Sequence, residues 1–190
     1  MSFTQKQMRE IADDERLALG LRPREPLNPY ALCEAHGIRV YPLSSFDAAP
    51  DAVLHYSTTR ASAWSAALIP VGTARFIVEN DSHAPVRRRS SIAHELGHHL
   101  LEHPFDDVLL GEDHQRQFDK KQEDEARFIS GELLVPLKAA ERAAFDGWDN
   151  ARVARTYGVS EQFAQMQLKG QRVRAQRAAR NFGGRARRAG

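Results

Sequence analysis

Cysteine is nearly missing from this chain: 190 residues contain one, Cys33. A single thiol excludes a disulfide framework and fits a reducing compartment. Its apolar neighbours read it as a small buried hydrophobe. Long hydrophobic runs are missing too. The N-terminal stretch MSFTQKQMREIADDER is polar and charged, so it reads as neither a signal peptide nor a membrane anchor. A cytoplasmic protein with no membrane partner is expected. Acidic residues are absent from Lys169 to Gly190, where eight are Lys or Arg. The chain has 27 basic and 25 acidic residues, a net +2, so the part before Lys169 holds 19 basic against 25 acidic and carries −6. Aromatics scarcely interleave with those final cations, which favours a solvated flexible tail over 171–190 rather than an arm for nucleic acid.

What is present is enough for one domain, or one with an appendage: 42% of the residues are hydrophobic. The most telling run is Ser91-Ile92-Ala93-His94-Glu95-Leu96-Gly97-His98-His99-Leu100-Leu101. On a helix, His94 and His98 lie about 40° apart around the axis. Two neutral imidazoles so placed can bind one zinc ion. Glu95 then projects beside the metal, where it can take a proton from a water the metal activates. The bare pattern fixes three of five positions, and an ordinary surface helix could carry it by chance. The apolar flanks Ile92, Ala93, Leu96, Leu100 and Leu101 instead describe a buried helix, and Gly97 leaves room beside the second histidine.

A third ligand sets the class of site. The metzincin pattern needs Gly at 101 and His at 104, where this chain has Leu101 and Pro104; His103 is one place out of register. The inverted HxxEH order is absent. A carboxylate from a second helix remains, giving two His, one Glu and an open position. Residues 122–136 read as that helix, with Ala126, Ile129 and Leu133 on one stripe. Glu123 lies one turn before Ala126, whose small side chain lets two helices approach. Glu125 competes, but reads as the more polar side, so Glu123 is preferred.

Two motifs together, RRRSSIAHELGHHLLEH and EDEARFISGELLVP, resemble the ImmA/IrrE family of bacterial metallo-endopeptidases. Glu123, Ala126, Leu133, Leu134 and Pro136 match the family pattern position by position. Ile129-Ser130 stands where Phe-Ala is usual, and Arg127 where Asn is usual. The resemblance covers roughly residues 26–170 and is strongest over 75–136. It implies an α+β, minimal zincin-like fold of gluzincin type. A small, mostly antiparallel sheet would pack on the HExxH helix and a second, Glu-bearing helix, followed by a C-terminal helix pair. It implies Glu123 as third ligand and Zn2+ as cofactor, with Mn2+ an alternative in cells. It also implies a typical substrate, a helix-turn-helix transcriptional repressor cut to release its genes, in contexts such as stress response.

The remaining segments organise around those two helices. Residues 1–25 read as a short helix and linker, and 26–170 as the peptidase domain. Asn28 and Pro29 open a helix that Gly37 closes, and 38–42 is a strand. Residues 43–62 are irregular, with Tyr56 in a strand or loop. Residues 64–71 and 74–79 form a hairpin about Gly72, and 64–71 is the candidate edge for an extended substrate. Residues 80–85 supply a cap and an early proline to the HExxH helix, which Pro104 ends. The acidic stretch 105–125 is expected to be a loop, with His114 exposed. Near 148–168 a helix, Gly158 and a Ser160-capped helix look like a helix-turn-helix. Their weak basic character favours packing within the domain over DNA reading.

The expected reaction is peptide hydrolysis, with His94, His98 and Glu123 holding zinc and Glu95 as catalytic base. His83, Tyr56 and Tyr157 are candidates for stabilising the oxyanion or touching substrate. His99 reads as a packing or outer residue, and His103 as a cation offsetting the helix dipole. One of Arg87, Arg88 and Arg89 should pair with an acid from elsewhere in the fold. The alternative is a zinc-containing regulator that binds a repressor or DNA without cutting; an intact Glu95 argues against it.

Overall fold

A computed structural model describes residues 2–104 and 120–186, with side chains as far as residue 180. The acidic stretch over 105–119 and His114 within it lie outside the described residues. Eight α-helices and three strands are described: α1 Gln5–Ala18, α2 Pro29–Ala35, β1 Arg39–Pro42, α3 Pro50–Leu54, β2 Ala66–Val71, β3 Ala74–Glu79, α4 Pro85–Leu100, α5 Lys120–Leu134, α6 Leu137–Phe145, α7 Asn150–Tyr157 and α8 Glu161–Ala186. Among these residues no helix is long and apolar enough to cross a membrane.

Local signals start and stop these elements much as expected. Asn28 caps α2 by accepting from the Tyr30 N–H, with Pro29 in the first turn. Asp149 caps α7 in the same way, and Gly158 ends it in the left-handed region. Thr4 and Gln7 form a reciprocal capping box on α1. Helix α4 departs from expectation. Ala84 occupies its cap position without a side-chain bond. Asn80 instead ties the preceding loop together, accepting from Ser82 and donating to the carbonyls of Tyr56 and Trp64. Residues 43–62 form short helical pieces, including a wide π-type turn at His55–Thr59 that holds Tyr56. Residues 120–125 are already helix α5 and not loop.

The sheet is mixed, in the order β1-β3-β2. Strands β2 and β3 are the expected antiparallel hairpin, with Leu68 opposite Ile77. Strand β1 joins the other side of β3 in parallel, with Val40 opposite Ile77. The parallel pairing follows from connectivity, since β1 returns to the sheet only after the helical crossover through 43–65. Strand β2 is therefore an edge.

Helix α4 lies between two cores. Ile92 and Leu96 pack with Leu32, Cys33, Leu68, Ile77, Ile129 and Leu133. Ala93 faces a second cluster built by α6, α7 and the start of α8, including Val153, Ala164 and Leu168. The 148–168 helix pair thus packs into the domain. Beyond it, α8 runs on as helix to Ala186, where a flexible tail was expected. Residues 1–25 are no mere appendage: Met8, Ala12 and Arg16 of α1 are buried. The Arg16 guanidinium donates to the carbonyls of Leu133 and Glu25, clamping α1 to the end of α5.

Helices α4 and α5 touch at Gly97. A Cβ there would stand 2.8 Å from the Ala126 carbonyl oxygen and 2.9 Å from Ile129 Cγ2. Both obstacles belong to the packed interior, so Gly97→Ala must push the helices apart. It should cost about 1–3 kcal/mol, the usual range for overpacking, read as a lowered denaturant midpoint. An unchanged midpoint would show that the contact is not tight. Cys33 is 1% exposed, and burial pushes its thiol up to about 12. Native protein at pH 8 should therefore resist thiol alkylation that unfolded protein undergoes readily; equal rates would contradict this burial.

Candidate metal centre

The helix contact at Gly97 and Ala126 sets the site. Glu123, one turn before Ala126, is carried over the α4 face that bears His94 and His98. Its Oε2 lies 3.2 Å from His94 Nε2, and its Oε1 3.2 Å from His98 Nε2. The two Nε2 atoms are themselves 3.2 Å apart. Ligands about 2.0–2.1 Å from a tetrahedral zinc are spaced by about 3.3–3.4 Å; the two Nε2 atoms stand close to that spacing, and the carboxylate turns one oxygen to each of them. Three electron-pair donors converging on one point are also what a cation needs. These residues form the one group of three metal-capable side chains found among the described residues. They fit a divalent metal, with imidazole and carboxylate donors suited to zinc. Hydrogen bonding to His94, and then to His98, holds the Glu123 carboxyl well below the usual carboxylate range. Its place in the first turn of α5 also suits a negative charge.

Glu95 is buried beside this triangle, and its Oε2 accepts from the Leu68 N–H at 2.8 Å. The HExxH helix thereby meets strand β2, and the bond fixes the carboxylate against an edge strand. The arrangement can bind a cation and hold a carboxylate beside it, facing a strand edge able to align an extended chain.

The profile of Peptidase_M78, described as the IrrE N-terminal-like domain, matches residues 33–169. This chain belongs to that family. No curated protein matches it. Membership of Peptidase_M78 makes the metallopeptidase character expected from HELGH and the Glu123 helix the coarse function of this domain.

The other expected site residues are dispersed. His83 uses Nε2 on the Ala61 carbonyl at 2.7 Å, in the turn before α4. The Tyr157 hydroxyl donates to the Arg24 carbonyl at 2.9 Å, within the second core. The Tyr56 ring is partly exposed and lies edge-on to Trp64. Arg88 of α4 pairs with buried Glu79 at the end of β3, which Tyr30 also contacts. Arg89 donates to the carbonyls of Gly158 and Leu27. The cations of the first α4 turns are thus used to bind neighbouring segments, despite their unfavourable helix end.

Two residues differ from their sequence reading. Glu125 is buried and not on a polar side, and His103, close to the end of α4 as expected, is buried against His98 and Glu125. Periodicity held a signal for Glu125, which stands one turn before Ile129 on the apolar stripe. No such signal existed for His103, whose position depends on how α4 ends. Glu102 adopts φ 50°, and the His103 and Glu102 N–H groups return to the carbonyls of His98 and His99. This is a Schellman ending with Glu where Gly is usual, a conformation costing roughly 1–2 kcal/mol for a residue with a side chain. It folds His103 back beneath His98.

His94→Ala and Glu123→Ala should each lose bound metal, weakening affinity beyond the roughly 10–100-fold typical of outer contacts. Elemental analysis after dialysis reads this directly. Full occupancy in either variant would overturn the ligand set.

Proposed function

We propose that this chain is a zinc-dependent endopeptidase that cleaves a protein substrate, a helix-turn-helix transcriptional repressor, and so relieves repression. The observation that carries the proposal is the His94–His98–Glu123 triangle with Glu95 buried beside it and bonded to the edge strand. A structural metal site has no need of such a carboxylate. The repressor as substrate rests on the family resemblance of the two motifs.

His94, His98 and Glu123 would hold the ion. When bound, zinc polarises a peptide carbonyl and makes water acidic enough to deprotonate near neutral pH. Glu95 orients the attacking water and takes its proton onto a carboxylate oxygen as the water oxygen bonds to the carbonyl carbon. It then delivers that proton to the departing amide nitrogen as the C–N bond breaks. The Leu68 N–H holds Glu95 in place, so little reorganisation is needed at that moment. The substrate would lie extended along β2, aligned by backbone pairing. Pro70 lacks an N–H, so at that point only its carbonyl can pair. His83 and Tyr157 already have hydrogen-bond partners, which leaves Tyr56 as the donor to test for the oxyanion.

A second reading, a regulator that binds a repressor or DNA without cutting, draws on the basic end of α8, where Lys169, Arg174, Arg177 and Arg180 are exposed. Arg174 is partly neutralised by Glu141, and the cations are few, so cleavage is preferred.

Glu95→Gln should keep the metal and reduce cleavage by at least about 100-fold, the usual range for a lost general base. The test compares new protein N-termini in cells making wild type and variant. A neo-terminus inside one helix-turn-helix protein, seen only with wild type, supports the proposal. Equal cleavage by Glu95→Gln would refute the base assignment. No new terminus in either, together with a salt-dependent shift of DNA by the pure protein, would favour the non-cleaving reading.

A further inference from the structure

His98 has a second ring nitrogen, and the structure shows what holds it. His98 Nδ1 lies 3.0 Å from His103 Nδ1, and His103 Nε2 lies 3.2 Å from Glu125 Oε2. The other Glu125 oxygen accepts from the Phe3 N–H at 3.1 Å and from the Ser2 hydroxyl at 3.3 Å. His98, His103 and Glu125 are all buried. We propose that His103 and Glu125 are positioning residues that fix the tautomer and orientation of the metal ligand His98. The proposal rests on the metal-centre reading above and extends it to residues that touch neither metal nor substrate.

The polarity of the chain follows from its end. Glu125 already accepts from Ser2 and Phe3 through Oε1, and with Oε2 as acceptor too, His103 Nε2 is the donor of that contact. The Nδ1 of a neutral His103 is then an acceptor. With a metal bound, His98 Nδ1 would donate to it and His98 Nε2 would offer its lone pair to the ion in place of the hydrogen it can give Glu123. The reverse polarity would put hydrogen on His98 Nε2, where it would exclude a cation. A carboxylate placed behind a ligand histidine is a recurrent way to orient the ring and raise its basicity. Here one more imidazole stands between them. The left-handed Glu102 makes this reach possible by turning the chain back at the end of α4. The Ser2 and Phe3 contacts link the far end of the relay to the start of α1, so the N-terminal segment supports the centre through Glu125.

The test uses the full chain loaded with zinc. Long-range proton–nitrogen correlation should show His98 with hydrogen on Nδ1, and His103 neutral with hydrogen on Nε2. Hydrogen on His103 Nδ1 would overturn the relay. In chelator competition, His103→Phe should bind zinc roughly 10–100-fold more weakly. His103→Gln should recover part of that loss, because its carboxamide can accept from His98 and donate to Glu125. Glu125→Gln nearly preserves shape but can reverse the hydrogen-bond direction, and should weaken zinc binding even if His103→Phe fails to fold. A merely structural role would lower the melting temperature of the metal-free protein and leave the affinity of folded variants unchanged. Zinc bound by wild type and by the folded variants with equal affinity overturns the relay alone. Failure of wild type to bind zinc overturns the metal centre and the relay with it.

Discussion

The close approach of α4 and α5 governs this molecule. Gly97 lets the Ala126 backbone come nearer than any side chain would allow, and that spacing carries Glu123 across to His94 and His98. Ligand atoms tolerate only a few tenths of an ångström around a metal, so the depth of this contact matters more than the strength of any single bond. Ile92 and Leu96 on one side of α4 and Ala93 on another anchor it in two cores. The helix that bears the histidines has little freedom to turn.

Buried and half-buried polar groups extend outward from the centre, and each ends on a partner in another element. Glu95 ends on the edge strand. His98 leads through His103 and Glu125 to the start of the chain. His99, next in sequence, contacts Arg75 of β3 through Nδ1 and His36, the residue that ends α2, through Nε2, and His36 in turn meets Glu15 of α1. Adjacent histidines on one helix thus reach different regions, because neighbouring residues point about 100° apart. Such groups are costly to bury without partners, and their satisfaction makes one arrangement of the helices preferable to others.

Much of the fold could be read from local chemistry. Asn28 with Pro29, Asp149 and Gly158 mark helix limits, and Gly72 marks the hairpin, because capping and turn formation depend on neighbours in sequence. The parallel placement of β1 could not be read this way, since strand order depends on a crossover whose residues 43–65 carry no simple period. Asn80 looked like a cap and serves the loop instead, because the carbonyls it binds come from Tyr56 and Trp64, far away in sequence. The end of α8 looked like a flexible tail from its charge and glycines, yet continues as helix from the packed segment before it.

The sequence by itself offered His94, His98 and a glutamate of the next helix as donors, and the likeness to a metallopeptidase. HExxH spacing is a property of one helix, and Glu123 three places before Ala126 is a property of another; both follow from a fixed rise and turn per residue. Only the tertiary structure decided that the Glu123 carboxylate sets one oxygen 3.2 Å from each of the His94 and His98 Nε2 atoms, that Leu68 steadies Glu95, and that His103 and Glu125 stand behind His98. Those contacts join residues from separate elements, and a backbone reversal at Glu102 makes one of them possible. Packing of whole helices, rather than any local preference, sets such distances.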